Sequence, residues 1–383
     1  MNRSRVRGTT SATAAAAVLA GLITAAGPAA AAEPACAPGI TVLPSLTGGP
    51  AGAVHGFGAG GLAVGSSAGL PAYWTADHRV HAVPMPEGFQ EGTVTAVNGK
   101  GLMVGTVRST VQGYPGAAFT YQLGAGSVQL ITASSGRSGG ADVNEAGHVV
   151  ALDDGVAKEW VNGHVVRELP VPADAHPSTV ISSVNGINKR GDILGTAYTN
   201  YWDQDNDQIV SKTFPVVWPA GDYPTSSLPV WNDSDWTVGT QATGIDNRGR
   251  VVGYEARSYR DWQERKPAVW KRPYDALPAG PGLVAGYEHL TLDAISPDTN
   301  ATVGTAVTFV EGYANRTQAA YWPGAGPVKA LPHPAGATPD ARSQALAVSD
   351  DDRVGGSYWG WDGVGSGAVI WTCASKQAYT PQS

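Results

Sequence analysis

Val97-Asn98-Gly99-Lys100-Gly101-Leu102-Met103-Val104-Gly105 is the clearest copy of a phrase that recurs along this chain, and it decides the fold. The phrase returns as Ile187-Asn188-Lys189-Arg190-Gly191-Asp192-Ile193-Leu194-Gly195 and as Ile245-Asp246-Asn247-Arg248-Gly249-Arg250-Val251-Val252-Gly253. In the first copy Thr93–Val97 reads as a strand. Asn98–Gly101 reads as a tight hairpin, where Asn and Gly tolerate positive φ, and Leu102–Val107 as a second strand. A third strand ends at Tyr121 and a fourth covers Val128–Ile131. A repeat this short cannot bury its apolar face alone, so copies must stack on one another.

The aromatic that closes each third strand counts seven copies: Trp74, Tyr121, Trp160, Trp218, Trp270, Trp322 and Trp371. The turn glycine is Gly61, Gly101, Gly147, Gly191 and Gly249, replaced by Asn300 and Asp352 in the last two copies. A second-strand glycine follows at Gly65, Gly105, Gly195, Gly253, Gly304 and Gly356, with Ala151 in repeat three. Glycine inside a strand marks close backbone approach, expected here against the neighbouring repeat. Four short antiparallel strands per repeat predict an all-β, seven-bladed β-propeller.

Fourth strands end in an aliphatic residue and a proline: Val83-Pro84, Leu169-Pro170, Leu228-Pro229, Leu277-Pro278 and Leu331-Pro332. Repeat seven has no room for one. Thr41-Val42-Leu43-Pro44 is an unpartnered version near the other end of the chain, so residues 40–44 are expected to supply the missing outer strand and close the ring. Cys36 and Cys373, the two cysteines of the chain, flank those strands and are expected to bond, which fits an exported protein.

Residues 1–32 read as a signal peptide: Arg3, Arg5 and Arg7, an Ala-rich stretch, then Ala30-Ala31-Ala32 before Glu33. Residues 33–373 read as one propeller domain and 374–383 as a short polar tail. The chain carries a net charge of −7, and loss of the three arginines makes it more acidic. That excludes nucleic acid, which needs a concentrated basic surface, and no later segment is long and apolar enough for membrane insertion. The product is expected to be a secreted, extracellular monomer.

The pattern Ile-Asn-x-x-Gly-x-Val-x-Gly followed by Ala-x-x-Trp resembles the HAF-repeat family of secreted bacterial proteins. Ile187–Gly195, Ile245–Gly253, Ala118–Tyr121 and Ala368–Trp371 carry the resemblance, which spans nearly all of residues 40–373. The His that opens the family's namesake segment is missing here. The resemblance implies location and architecture, and it offers no catalytic residue.

Second-to-third strand connections vary most. They are short from Gly65 to Trp74 but long from Gly195 to Trp218, and insertions on one face of a repeat fold mark a binding face. Of the 12 Trp, those outside the repeat pattern are Trp202, Trp231, Trp236, Trp262, Trp359 and Trp361, all in repeats four to seven. Tyr201, Trp202, Asp203, Trp236, Tyr259, Trp262, Tyr313, Trp359 and Trp361 are therefore the candidate ligand residues, expected on long loops. Aromatic faces stack on sugars or anchor proteins while carboxylates bond hydroxyls. The competing reading is that such aromatics pack against one another.

Asp203, Asp205 and Asp207 place oxygens at every second residue, a spacing that can wrap Ca²⁺, although Gln208 and Phe214 depart from the EF-hand pattern. No cofactor is otherwise implied. Gly65-Ser66-Ser67-Ala68-Gly69 matches a nucleophile motif that works only on a strand-to-helix elbow, and here it falls in a short hairpin. His55 sits where it can face a central channel. The sequence points first to a non-enzymatic protein that binds a glycan or protein. The alternatives are a hydrolase or lyase with its site at the channel mouth, or an assembly scaffold.

Overall fold

The structure is a computed structural model. It describes residues 36–47, 52–110, 116–132, 138–205, 207–221, 224–231, 238–259, 262–310, 313–338, 340–360 and 366–382, with backbone alone at 238, 258–259, 262–263, 310 and 313–314. The expected signal peptide lies outside the described residues. Among these residues no helix is long and apolar enough to cross a membrane.

The strands pair as short antiparallel meanders. Repeat one runs Gly52–Phe57, Ala63–Ser67, Leu70–Trp74 and Val80–Ala82, and repeats two, three and six form the same four-stranded sheet. Repeat seven has three strands of its own, and Gly39–Val42 adds the outer one, from Gly39 opposite Thr372 to Val42 opposite Val369. Repeats four and five share a seven-stranded sheet, linked by a single parallel bridge between Thr213 and Gly239.

Repeat five departs from the expected pattern. No fourth strand forms there among the described residues, and Leu277 is 58% exposed. In other repeats the buried aliphatic donates its N–H to the carbonyl three residues before the aromatic, as Val83 does to Pro71 and Leu331 to Ala319. In repeat five Ala279 donates to Val269 instead, and Gly280 stands over the Pro267 carbonyl. The shifted register leaves Leu277 in solvent.

Each turn glycine is in the left-handed region, from Gly101 at φ 76° to Gly147 at φ 88°, and Asn300 and Asp352 replace it at φ 74° and 63°. These two residue types tolerate that conformation best after glycine. The asparagine that opens the turn does other work. Asn98 Oδ1 accepts the N–H groups of Lys100 and Leu102, both at 3.0 Å, while Nδ2 donates to the Asn144 carbonyl of the next repeat at 3.1 Å. Asn144 repeats the pattern toward Asn188, and Asn188 toward Asp246. The repeated residue therefore closes its own turn and ties it to the next one.

The second-strand glycines approach their own repeat and not the neighbouring one. A Cβ on Gly65, Gly304 or Gly356 would stand 1.9 Å from the carbonyl of Ala53, Thr291 or Gln344 in the paired first strand. The cause is a β-bulge in every first strand at this height, between Val54 and Gly56 in repeat one and between Leu292 and Ala294 in repeat six. In repeat three the glycine changes strand, and Ala151 faces Gly140.

The core lies between successive sheets. Val303, Tyr321 and Leu331 of repeat six pack on Ala345, Val354 and Trp371 of repeat seven. Leu43, Ala368 and Ile370 of repeat seven's sheet pack on Val54, Ala63 and Trp74 of repeat one. In repeats four, five and seven the indole N–H of the third-strand Trp donates to the proline carbonyl that ends the preceding fourth strand: Trp218 to Pro170, Trp270 to Pro229 and Trp371 to Pro332, each 2.7 Å. Trp74 makes the same bond to Pro44 at 2.9 Å. The stretch Thr41–Pro44 thus serves repeat one as the fourth strands of repeats three, four and six serve their successors. Trp322, which follows the repeat without a fourth strand, donates to the Gly326 carbonyl instead.

The last residues are structured. Cys36 and Cys373 are both disulfide-bonded. Ala374–Gln377 forms a short helix, and Tyr379 exchanges two backbone hydrogen bonds with Ala330 of repeat six.

Candidate functional site

The long second-to-third connections are not loops. They are strand extensions: Ile193–Asp203 and Gln208–Trp218 in repeat four, Val251–Tyr259 and Trp262–Trp270 in repeat five, Thr302–Val310 and Tyr313–Trp322 in repeat six. β-branched and aromatic residues at alternate positions favour continued pairing over an irregular loop. Several candidate aromatics fall near the ends of these strands. Tyr259 pairs in register with Trp262, and Tyr313 with Val310. Trp359 ends its strand opposite Arg342 and is partly buried.

Trp202 is 55% exposed, whereas Tyr201 on the opposite ribbon face stacks on His176 with ring centroids 3.9 Å apart. Trp231 is no part of this surface: it packs on the core between repeats four and five, with Lys266 Nζ 4.0 Å above its ring. Trp236 and Trp361 lie outside the described residues. Asp203 Oδ1 caps the N–H of Asp205 at 3.1 Å, and Asp205 and Asp207 point to solvent. Among the described residues no group of three His, Cys, Asp or Glu side chains is placed to hold a metal ion.

The acidic run Asp350–Asp352 is structural. Asp350 Oδ1 accepts the N–H groups of Asp298 and Thr299 in repeat six, Asp351 pairs with Arg353 at 2.9 Å, and Asp352 accepts the Ser375 N–H at 3.0 Å. The Gly-x-Ser-x-Gly stretch is a two-residue hairpin turn with Ala68 and Gly69 both at positive φ, not an elbow.

The opposite end of the molecule holds a second feature that sequence reasoning touches only at His55. A cavity of about 900 Å³ is lined by the first strands and first-to-second turns of all seven repeats. The bulges aim side chains into it. Thr95 and Thr243 use their hydroxyls to reach the first-strand carbonyl of the following repeat, Gly140 and Leu292 respectively. Asp293 holds the same position in repeat six, and Asp142 stands one residue later in repeat three. Burial pushes both carboxyls up to about 6. That rise is opposed at Asp142 by the N–H groups of Ile187 and Val143, and at Asp293 by the hydroxyls of Thr305 and Thr291. His55, at the bulge of repeat one, is lowered by burial. In repeats two, five and six the group stands two places before the Val or Ile that precedes the turn-opening residue (Thr95, Thr243 and Asp293), whereas Asp142 stands one place before Val143.

No family model matches the chain, and no curated protein matches it. Among solved structures it is similar to the β-propeller domain of the trilobed protease from Pyrococcus furiosus, described as having an open velcro topology. The two share 11% identity over 81% of this chain and 89% of that one, with a TM-score of 0.51. It is also similar to a catalytically inactive virginiamycin B lyase from Staphylococcus aureus, at 10% identity over 88% and 99% of the two chains and a TM-score of 0.49. A gluconolactonase from Xanthomonas campestris follows at 10% identity over 71% and 82%, with a TM-score of 0.40. At such identities an activity does not transfer, because function lives in the site and not in the scaffold. What the first likeness and the antiparallel sheets establish together is that this chain has a β-propeller fold.

Proposed function

We propose that the chain is a secreted, non-enzymatic binding protein, built as a closed seven-bladed ring of the HAF-repeat type. It takes a glycan or protein surface on the ribbon ends of repeats four to seven. The ring reading rests on Pro44, which accepts the Trp74 indole as Pro170, Pro229 and Pro332 accept theirs. Export rests on the disulfide-bonded cysteines and the basic, Ala-rich beginning of the sequence.

One observation carries the binding reading. Ribbons from three consecutive repeats extend past the four-stranded pattern on one side, and among the described residues Trp202 there is 55% exposed, opposite Ile209 at 56%. An exposed indole on a rigid ribbon offers a flat stacking surface at low entropic cost, which suits a sugar ring or a protein anchor pocket. Glycan-array and cell-wall pull-down binding, compared across wild type, Trp202→Ala, Trp262→Ala and Trp359→Ala, tests it. The expected result is at least a tenfold loss in Trp202→Ala. Unchanged binding in all three variants removes this face as the recognition surface.

A further inference from the structure

We propose that Arg190 and Arg272, which meet over Gly249 at the turn end between repeats four and five, form a binding site for a tetrahedral oxyanion such as phosphate, free or as an ester group on a larger molecule. In other repeats the residue two places after the third-strand aromatic covers the turn glycine. Ala76 lies over Gly61, Leu123 over Gly101 and Ala220 over Gly191. In repeat five that residue is Arg272, and Arg190 of repeat four reaches the same place. A Cβ on Gly249 would stand 2.6 Å from Arg190 Nη2 and 2.6 Å from Arg272 Nε. An apolar cover serves the turn elsewhere, so packing alone does not call for two guanidiniums here.

One buried carboxylate fixes both guanidiniums. Asp192 Oδ2 pairs with Arg190 Nε at 3.0 Å and Nη2 at 2.8 Å, and Asp192 Oδ1 pairs with Arg272 Nη2 at 2.6 Å. The same carboxylate accepts the Ala220 N–H at 3.1 Å and Asn188 Nδ2 at 2.9 Å. Burial pushes its pKa up, but the Asn188 amide, the Ala220 N–H and the two arginines outweigh this and hold it below its usual value. Asp192 is therefore ionised at neutral pH, one negative charge between two positive ones. Asp275, exposed on the turn that carries Arg272, pairs with neither arginine among the described residues. Lys271 precedes Arg272 and Arg248 precedes Gly249, and both are exposed. The corner is thus cationic in a chain whose net charge is −7.

Each of the two arginine side chains is 39% exposed. The Tyr274 hydroxyl donates to the Gly249 carbonyl at 2.5 Å and also bonds Arg272. These contacts engage only part of each donor fork, and the remaining N–H groups meet no acceptor among the described residues. A guanidinium is planar with its donors at fixed angles, so a fork gripped by Asp192 on one edge presents its other edge already oriented. Two such forks around one point suit a tetrahedral anion, whose oxygens lie in more than one plane, over a flat carboxylate. The anion gains charge-assisted hydrogen bonds and supplies the second negative charge that Asp192 does not.

Calorimetric titration of the mature chain with sodium phosphate, glycerol 2-phosphate and sodium acetate, at constant ionic strength, tests this. Phosphate is expected to bind at least tenfold more tightly than acetate. Arg190→Gln or Arg272→Gln should weaken phosphate binding at least tenfold. A variant carrying both Arg190→Lys and Arg272→Lys keeps two cations beside Asp192 and loses the forks. It should lose at least tenfold in affinity while its thermal midpoint stays at the wild-type value, so that misfolding does not explain the loss. Glycerol 2-phosphate binding as tightly as phosphate assigns the ligand to an ester group on a larger molecule, and binding of phosphate alone assigns it to the free ion. Three results overturn the proposal: no saturable phosphate binding, acetate bound as tightly as phosphate, or wild-type phosphate affinity in the double lysine variant. Trp202→Ala leaves phosphate binding unchanged, and loss of the ribbon-face reading does not move these readouts, so the two readings fail separately.

Discussion

The two ends of this propeller obey different rules. At the turn end, repeats two to four use asparagine at the same place, and each side chain has a partner in the next repeat. Asn98, Asn144 and Asn188 form a run of turn caps and inter-repeat bonds that no other side chain reproduces in full. At the ribbon end, neighbouring repeats meet through unlike contacts, such as Arg265 over the Phe309 ring and Arg342 donating to the Asn315 carbonyl. There the chain varies in length and content without disturbing the core. The comparison teaches that uniformity here reports packing, and that departure from it reports freedom to acquire a function.

The largest effect that sharpens this contrast is expected at a repeat tryptophan. Trp371 is fully buried between repeats six and seven and bonds the Pro332 carbonyl at 2.7 Å. Trp371→Ala should cost about 3–5 kcal/mol from lost burial and an unfilled cavity. Trp202→Ala, exposed on its ribbon, should stay within about 0.5 kcal/mol of wild type. Denaturant midpoints measure both, and equal losses would mean that the ribbons are part of the stability core.

Much of the turn end is legible in the amino-acid sequence. The seven aromatics, the turn glycines and the orphan Thr41–Pro44 stretch all carry a local physical signature, and each takes its expected place. The pairing of Gly39–Val42 with the last strand follows because a missing element and an unpartnered one add up. The bulges are not legible, since an extra residue in a first strand looks like ordinary alternation until its partner strand is known. That one gap has two consequences. The sequence points the second-strand glycines at the wrong neighbour, and it hides that Asp293, at a bulge, and Asp142, one residue past one, line the cavity. The ribbons read as loops because length alone does not distinguish a paired extension from an irregular insertion.

A pH series breaks the comparison from the turn end. Asp293 has its folded pKa raised to about 6 from an unfolded value of 3.8. The folded state therefore holds the proton more tightly. Its stabilising effect is fully present below pH 3.8 and is lost as pH rises through about 6. Two pKa units correspond to roughly 3 kcal/mol at most, and access to water through the cavity reduces this to about 1–2 kcal/mol. Asp293→Asn should raise the thermal midpoint above pH 6 and flatten the pH dependence between pH 4 and 7. An unchanged profile would mean that Arg265 and the threonine hydroxyls already compensate the charge.

The smallest expected effect separates the two jobs of the turn asparagine. Repeat five carries Asp246 in place of Asn, and its Oδ1 still caps Arg248 and Arg250 at 2.9 and 2.7 Å. What a carboxylate cannot do is donate to the next repeat. Asn98→Asp should therefore keep the turn and lose only the 3.1 Å bond to Asn144, costing about 0.5–1.5 kcal/mol. Asn98→Ala removes caps and bridge together and leaves the Lys100 and Leu102 N–H groups without their acceptor, so it should cost about 1–3 kcal/mol. If the Asp and Ala variants unfold at the same denaturant concentration, the inter-repeat bond accounts for the whole effect. The repeated asparagine would then be a staple between blades, with its role in the turn secondary.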